Sequence, residues 1–286
     1  MEYTKLGDSG ISVSKLCVGY MDLNNSAGRA LDFDENEEMI KTALALGINF
    51  FDATNCDSNE RSEQRLGAVL KKNIARDKVV IATTLSWSDD PAIDLSRAVD
   101  ESLKRLDTDY VDLLMIPCSS CPSEETMESL NGVVKAGKVR ALGALATFKQ
   151  FINMQNTAKS NSWTPFVSIQ NDYHLFCRED EHILSVCKER NIAITPHFPL
   201  VGYDSSRESD RKIAERVHKL ARRHGASMTQ IILAWLFSKG ISSPIIGATK
   251  PQQLVDAAGC FYVDLTTQET EYLEELYVPQ RNVGAV

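Results

Sequence analysis

Side chains that can move protons stand at the ends of short apolar segments in this chain. His197 ends one such segment, and an imidazole, with a reference pKa of about 6.5, suits proton transfer near neutral pH. Asp52 ends another, and Asp57 follows five residues later. Because like charges repel, two neighbouring carboxyls can keep one proton, which would provide an acid and a base. The opposing interpretation makes His197 a packed side chain, Asp52 a turn cap and Asp57 a solvated loop residue.

Two other groups are less specific. Tyr20 follows Gly19, where its phenol could donate a proton or simply fill space. Cys118 and Cys121 have the Cys-x-x-Cys spacing of redox motifs, but thioredoxin context and a second ligand pair are missing, so free loop thiols explain them better. The histidines likewise lack metal-ligand spacing, and we predict no metal site.

A separate group of residues is suited to binding. Four consecutive residues offer backbone amides and one cation to a phosphate. They are Gly247, Ala248, Thr249 and Lys250. A plain strand-to-helix turn is the alternative. Trp87 and Phe198 could form an apolar wall for an organic ligand, although ordinary packing explains both about as well.

These residues must be positioned by eight apolar segments that alternate with helical patterns. The segments are 16–20, 49–54, 79–85, 111–117, 139–145, 166–172, 193–198 and 243–249. Most are too short and too continuously apolar for amphipathic helices, as expected of parallel strands buried on both faces. Eight right-handed βαβ units close most naturally into an α/β fold, the (β/α)8 TIM barrel, with functional groups at the carboxyl ends of its strands.

Helical patterns and an extra hairpin complete the predicted architecture. The helices are 37–45, 62–71, 94–106, 124–135 and 180–190. An N-terminal β-hairpin over 3–13, turning at Asp8-Ser9-Gly10, is expected beneath the barrel, and helical segments 227–239 and 268–276 are partly additional C-terminal helices. We therefore predict a single barrel domain over residues 1–286.

Composition excludes several classes of protein. The chain has 286 residues, 43% of them hydrophobic and 24% charged, which is enough to enclose a large core. A net charge of −8 repels a phosphate backbone, so nucleic acid is not an expected partner. No apolar run approaches a membrane span, and the first residues do not have the pattern of a secretory signal. Seven cysteines, an odd number, argue against a disulfide framework. We expect a soluble cytoplasmic protein.

Short motifs occur in a fixed order along nearly the whole chain. They are KLG at 5–7 with SG at 9–10, GINFFD at 47–52, SE at 62–63 with LG at 66–67, SLKRL at 102–106, DYVDL at 109–113, GKVR at 137–140, QN at 170–171 with Tyr173, and IGATKP at 246–251. Each alone is weak. Together they resemble the aldo-keto reductase family, whose fold is the same barrel.

The resemblance implies hydride transfer from NADPH to a carbonyl, with Asp, Tyr, Lys and His as the proton relay. By position in the motifs, Asp52 matches the aspartate. Asp57 stands where the family has its tyrosine, Thr84 where it has the lysine and Pro117 where it has the histidine. Neither threonine nor proline supplies a cation that would lower the pKa of a neighbouring acid. The family's proton relay is therefore predicted to be absent.

The cofactor contacts implied by the resemblance are also altered. Leu145-Ala146 replaces the polar pair that holds the carboxamide, and Phe198 replaces a serine. The loop over the pyrophosphate is reduced to 201–207. Gln170 and residues 247–250 remain as candidate NADP(H) contacts.

Three hypotheses follow. The leading one is a non-redox enzyme that uses acid/base or shape-directed catalysis, such as cyclisation, isomerisation or dehydration, on a small, apolar, carbonyl-bearing molecule without a cofactor. The second is an NADPH-dependent carbonyl reductase with an unorthodox proton donor such as Tyr20. The third is a non-catalytic binding protein. Loss of the relay with retention of the fold motifs favours the first.

Overall fold

In the computed structural model, eight short parallel strands form one sheet around a packed interior. The structure describes residues 1–19, 33–53, 61–85, 94–118, 122–201 and 207–279. Tyr20 and Asp57, two of the predicted catalytic residues, lie outside these ranges, as do Cys121, Trp87 and positions 202–206 of the shortened loop.

The sheet follows the chain in strand order. The N-terminal hairpin consists of β1 (Tyr3–Lys5) and β2 (Ser12–Ser14), paired antiparallel. The parallel strands are β3 (Cys17–Gly19), β4 (Phe50–Asp52), β5 (Val80–Thr84), β6 (Val111–Pro117), β7 (Val139–Leu145), β8 (Phe166–Gln170), β9 (Ala193–Ile194) and β10 (Ile245–Ile246). Strands β3 to β9 pair in sequence order, and β10 pairs with β3.

Backbone hydrogen bonds between the β9 and β10 segments close the ring. The amide of Ile245 donates to the Pro196 carbonyl at 2.9 Å, and the amide of Ser242 donates to the Ile194 carbonyl at 3.1 Å. The predicted (β/α)8 barrel is confirmed. These last two strands are shorter than predicted because Pro196 and Pro244 have no amide proton for a regular ladder.

Ten α-helices are found in the described ranges. They are α1 (Phe33–Ala45), α2 (Arg61–Asn73), α3 (Leu95–Leu106), α4 (Glu124–Lys135), α5 (Phe148–Ser160), α6 (Ile183–Glu189), α7 (Glu208–His224), α8 (Met228–Ser238), α9 (Pro251–Ala258) and α10 (Thr267–Glu274). Two of them begin at polar caps, because the side chains of Asp94 and Ser123 each accept an amide proton from the first turn of α3 and α4. The predicted helix 180–190 opens instead with a 3₁₀ turn, Glu179–His182, before α6. No helix of the described segments is long and apolar enough to cross a bilayer.

Strand side chains alternate between the barrel interior and the helical layer. Residues such as Cys17, Phe50 and Leu113 fill the barrel interior toward the amino-terminal ends of the strands. Leu6 and Val13 of the hairpin pack in the same cluster, so the hairpin covers the amino-terminal end of the barrel, as predicted. The opposite, carboxyl-terminal end is left to carry the candidate site.

The hairpin depends on Gly7 for its contact with the barrel floor. Gly7 has φ +52°, and a Cβ atom there would lie 2.4 Å from the Val167 carbonyl oxygen. Gly10 also has a positive φ, +75°, but a Cβ there would meet no atom within 4 Å. Position 10 therefore requires glycine only for its backbone conformation. Position 7 requires it for the backbone conformation and also because a Cβ atom would clash with the barrel floor.

We expect Gly7→Ala to lower the free energy of unfolding by about 1–3 kcal/mol more than Gly10→Ala, because only Gly7→Ala overpacks the barrel floor. Urea unfolding of the two variants measures the difference. Equal losses would mean that the hairpin does not rest on Val167 in solution.

Candidate active site at the barrel mouth

Asp52 is the last residue of β4 and is 1% exposed. It stands in register with Gly19 of β3 on one side and Ala82 of β5 on the other. Below it on β3, burial and the Asp52 charge raise the pKa of the Cys17 thiol well above its ordinary value. Cys17 therefore stays protonated near neutral pH and is not a nucleophile.

The next strand ends bear the replacements noted in the sequence. Thr84 ends β5 and is buried, Pro117 ends β6, and Leu145 ends β7. Neither Thr84 nor Pro117 can place a cation or a titrating group beside Asp52. Within the described residues, β5 and β6 therefore end in side chains that carry neither a cation nor an imidazole.

Two titratable side chains meet on the other side of the mouth, after β8 and β9. His197 is three residues beyond β9, and its Nε2 atom lies 2.7 Å from Oδ1 of Asp172, two residues beyond β8. The backbone joins the same segments, because the His197 amide donates to the Asn171 carbonyl at 3.3 Å. Asp172 was not among the predicted site residues. The feature of the sequence that could have indicated Asp172 is its position directly after Gln170-Asn171, at the predicted end of a strand.

Burial differs sharply within this pair. The His197 side chain is 20% exposed and the Asp172 side chain is 65% exposed. Nδ1 of His197 is buried, with no hydrogen-bond partner among the described residues. The imidazole hydrogen bond is the main reason why the pKa of Asp172 is held below its ordinary value. Asp172 is therefore ionised at neutral pH and presents its charge to the mouth.

The backbone after His197 is unusual. Phe198 has φ +50°, which is rare for a bulky residue and costs conformational energy. Its ring meets the His197 ring edge to face, with 5.0 Å between centroids. Phe198 is 49% exposed and Val201 46% exposed, so both add apolar surface beside the pair.

Acidic and histidine side chains surround Asp172. Burial lowers the pKa of His174, which is 7% exposed and accepts the Phe176 amide proton on Nδ1. Burial and the Glu179 carboxylate raise the pKa of Cys177 to about 12, so this thiol is unreactive near neutrality. Asp180 accepts a hydrogen bond from the Asn171 side chain at 3.0 Å. This part of the rim therefore carries net negative charge.

The loop that carries Asp172 is anchored by the C-terminal helix. Arg178 lies 2.9 Å from the Glu274 carboxylate of α10 and 2.5 Å from Glu181. Its backbone amide donates to the Tyr277 hydroxyl at 2.8 Å. Because Arg178 is only 10% exposed, these contacts hold the loop firmly.

The predicted cofactor residues are partly engaged by the protein itself. Gln170 ends β8 and is 5% exposed. The amides of Thr249 and Lys250 both donate to Oε1 of Gln253, at 2.7 and 3.0 Å. A phosphate would have to displace Gln253 to reach those amides. With Leu145 at the end of β7 and Phe198 in place of serine, the residues present fit a dinucleotide poorly.

The remaining predictions concern cysteines and metals. Cys17, Cys177, Cys187 and Cys260 are free thiols. Within the described segments there is no group of three or more His, Cys, Asp or Glu that could hold a metal ion.

Comparisons with known proteins all point to one family. The model of the aldo/keto reductase family matches residues 15–278. A versiconal hemiacetal acetate reductase of Aspergillus parasiticus is 33% identical over 337 aligned positions, covering 98% of each chain. The aldo-keto reductase AMT2 of Alternaria alternata is 32% identical, covering 99% of this chain and 93% of the relative. A crystal structure of a thermostable aldo-keto reductase with the inhibitor epalrestat matches with a TM-score of 0.80 and 27% identity, over 96% of this chain and 100% of that one.

Proposed function

The chain belongs to the aldo/keto reductase family, and we propose that it is a member that transfers protons, not hydride, on a small apolar carbonyl compound at the barrel mouth. The observation that carries the proposal is the Asp172–His197 pair, with 2.7 Å between its oxygen and nitrogen. Such a pair supports enolisation, and hence isomerisation, dehydration or cyclisation of a carbonyl compound.

The strand ends support this proposal. A hydride acceptor develops negative charge on its oxygen and needs a proton donor of suitable acidity beside a bound nicotinamide. Asp52 is kept, but Thr84 and Pro117 provide neither a proton donor nor a cation. The proposed reaction therefore uses no dinucleotide.

The surface around the pair indicates the substrate class. Phe198 and Val201 expose apolar area, and Asp172, Glu179 and Asp180 make the adjacent rim acidic. Acidic groups repel phosphates and carboxylates, whereas exposed apolar area binds hydrocarbon surface. A neutral, apolar molecule with a carbonyl group fits both properties.

A second candidate is an NADP(H)-dependent carbonyl reductase. The names of the relatives, a reductase and an aldo-keto reductase, favour it. Gln170 and residues 247–250 are the described groups that would hold the cofactor. For this chain such a reductase would need a proton donor other than the family's, such as Tyr20.

Two measurements on the full chain separate these candidates. We expect no saturable NADPH binding at high micromolar concentrations by fluorescence titration, because Gln253 already occupies two of the amides. We also expect the protein to accelerate deuterium exchange of the α-protons of 2-indanone in D2O, followed by proton NMR. A double variant, Asp172→Asn with His197→Gln, should lose at least about tenfold of that acceleration.

His218→Gln is the matched control. Because His218 is exposed on α7, its substitution should leave the exchange rate unchanged. NADPH binding accompanied by carbonyl-dependent NADPH oxidation would establish the reductase instead. Exchange that the double variant leaves intact would also overturn the proposal.

A further inference from the structure

We propose that Asp172, not His197, is the base that meets the substrate, and that His197 is the positioning residue that holds the Asp172 carboxylate in place. The inference rests on the proposed function and assigns the roles within its pair. It reverses the expectation from sequence, in which His197 is the catalytic candidate and Asp172 is part of a strand.

The difference in exposure between Asp172 and His197 supports Asp172 as the base. Asp172 exposes 65% of its side chain and His197 only 20%. The Nε2 atom of His197 is already bonded to Oδ1 of Asp172, and Nδ1 is buried. An ionised carboxylate only accepts hydrogen bonds, so Nε2 carries the proton of this bond. Within the described residues, His197 therefore has no free nitrogen facing the mouth, whereas the second carboxylate oxygen of Asp172 is not bonded.

Contacts with neighbouring residues hold the imidazole ring of His197 in position. The amide of His197 is bonded to the Asn171 carbonyl, and the Phe198 ring packs perpendicular to the imidazole ring, with 5.0 Å between centroids. The positive φ of Phe198 is backbone strain next to the pair, and such strain concentrates at functional sites. Arg178, bound to α10, anchors the loop on the Asp172 side. Both partners are thus held by separate elements.

The proton step balances without a co-reactant. Asp172 takes a proton from the carbon next to the substrate carbonyl, and the electron pair of the broken C–H bond moves onto the carbonyl oxygen as an enolate. The carboxylic acid then returns the proton to carbon, at the same or a conjugated position, and becomes a carboxylate again. No electron leaves the substrate, so neither oxidant nor reductant is required.

The charged groups around Asp172 set how this base responds to pH. His197 faces it from the segment after β9 and His174 from its own loop, and both lower its pKa. Cys177 and Glu179 lie in the same loop, and Asp210 of α7 acts on His174. The hydrogen bond from His197 is the largest cause of the lowered pKa. Asp172 thus stays a base down to a lower pH than an ordinary aspartate.

The pH profile of 2-indanone exchange is the decisive test. With Asp172 as the base, the protein-catalysed rate is expected to be flat between about pH 5 and 8, since a carboxylate is ionised throughout that range. A histidine base would instead lose activity as pH falls through about 6.5. A profile of the second kind would overturn the assignment while leaving proton transfer as the function.

Single variants provide the second arm. Asp172→Asn is expected to remove the catalysed exchange, whereas His197→Gln should reduce it less and move the acid limb to higher pH, because it removes the main cause of the lowered pKa of Asp172. Asp77→Asn is the matched control, because Asp77 is an exposed carboxylate in the turn before β5, at the opposite end of the barrel from the mouth.

A carboxyl-carbon NMR titration of Asp172 gives a readout that does not depend on activity. The pKa of Asp172 should lie below its ordinary value in the unmodified protein and rise in His197→Gln. An unchanged pKa would refute the positioning role of His197, whatever the outcome for exchange. If the pKa rises as expected but the unmodified protein catalyses no exchange, the proposed function fails and the geometry of the pair stands.

Discussion

A Glu63→Ala variant is expected to lose about 3–5 kcal/mol of the free energy of unfolding, because it removes the buried acceptor that joins three elements. Glu63 of α2 is 1% exposed. Its Oε1 accepts hydrogen bonds from Ser102 of α3 and, at 2.6 Å, from Thr83 of β5. Its Oε2 lies 2.5 Å from Nε of Arg105, which is itself 14% exposed. The alanine variant would leave Arg105 without this carboxylate in a largely buried position.

Chemical denaturation followed by far-ultraviolet circular dichroism measures the loss. Glu101→Ala is the matched control, since Glu101 on α3 pairs with Arg97 in an exposed position and should cost under about 1 kcal/mol. Replacing Glu63 and Arg105 together with methionine should cost less than the sum of the two single changes. A loss from Glu63→Ala no larger than that of the control would show that the buried network does not stabilise the fold.

Asp112→Ala should lower the free energy of unfolding by a similar amount, about 3–5 kcal/mol, because Asp112 accepts hydrogen bonds from three elements. Asp112 of β6 is fully buried. Its Oδ2 accepts from the Ile81 amide of β5 at 2.9 Å and from Arg76 at 2.7 Å, and its Oδ1 accepts from Arg140 of β7 at 2.6 Å. The carboxylate therefore satisfies a strand amide at the edge of the β5–β6 ladder and two guanidinium groups.

Thermal and urea unfolding of Asp107→Ala provide the comparison. Asp107 also forms an ion pair, 2.5 Å from Lys71, but its side chain is 60% exposed and that of Lys71 is 66% exposed. An exposed pair of this kind contributes about 0–1 kcal/mol. If the two aspartate variants unfold at the same denaturant concentration, burial does not decide the value of these pairs and our account of Asp112 is wrong.

Both predictions concern residues that lie in the family-like motifs, and neither residue is at the mouth. Glu63 belongs to SE at 62–63 and Asp112 to DYVDL at 109–113. Their partners lie on neighbouring strands and helices of the barrel wall. These motifs therefore stabilise the fold through buried hydrogen bonds that involve none of the mouth residues. This separation explains how Thr84 and Pro117 can stand at strand ends in an intact barrel.

The barrel itself was predictable because its signal is local. A parallel strand buried on both faces needs a short continuous apolar run, and eight such runs alternate with helical periodicity. Segments 111–117 and 139–145 match β6 and β7 residue for residue. The prediction was less accurate for 193–198 and 243–249. In those segments proline removes amides from the ladder, which shortens the strands without altering the apolar pattern.

Only the tertiary structure could decide which polar side chains meet. Asp172 and His197 are bonded across two neighbouring strand ends, and hydrophobic periodicity carries no information about the rotation of a side chain beyond the last ladder bond. The same holds for Gln253, whose bonds to the amides of Thr249 and Lys250 depend on how α9 begins. The sequence by itself determined the barrel and its hairpin, and it predicted that a lysine and a histidine are replaced at strand ends. The pairing, burial and access of the groups at the mouth depend on distances between segments far apart in the chain, and these exist only once the barrel has closed.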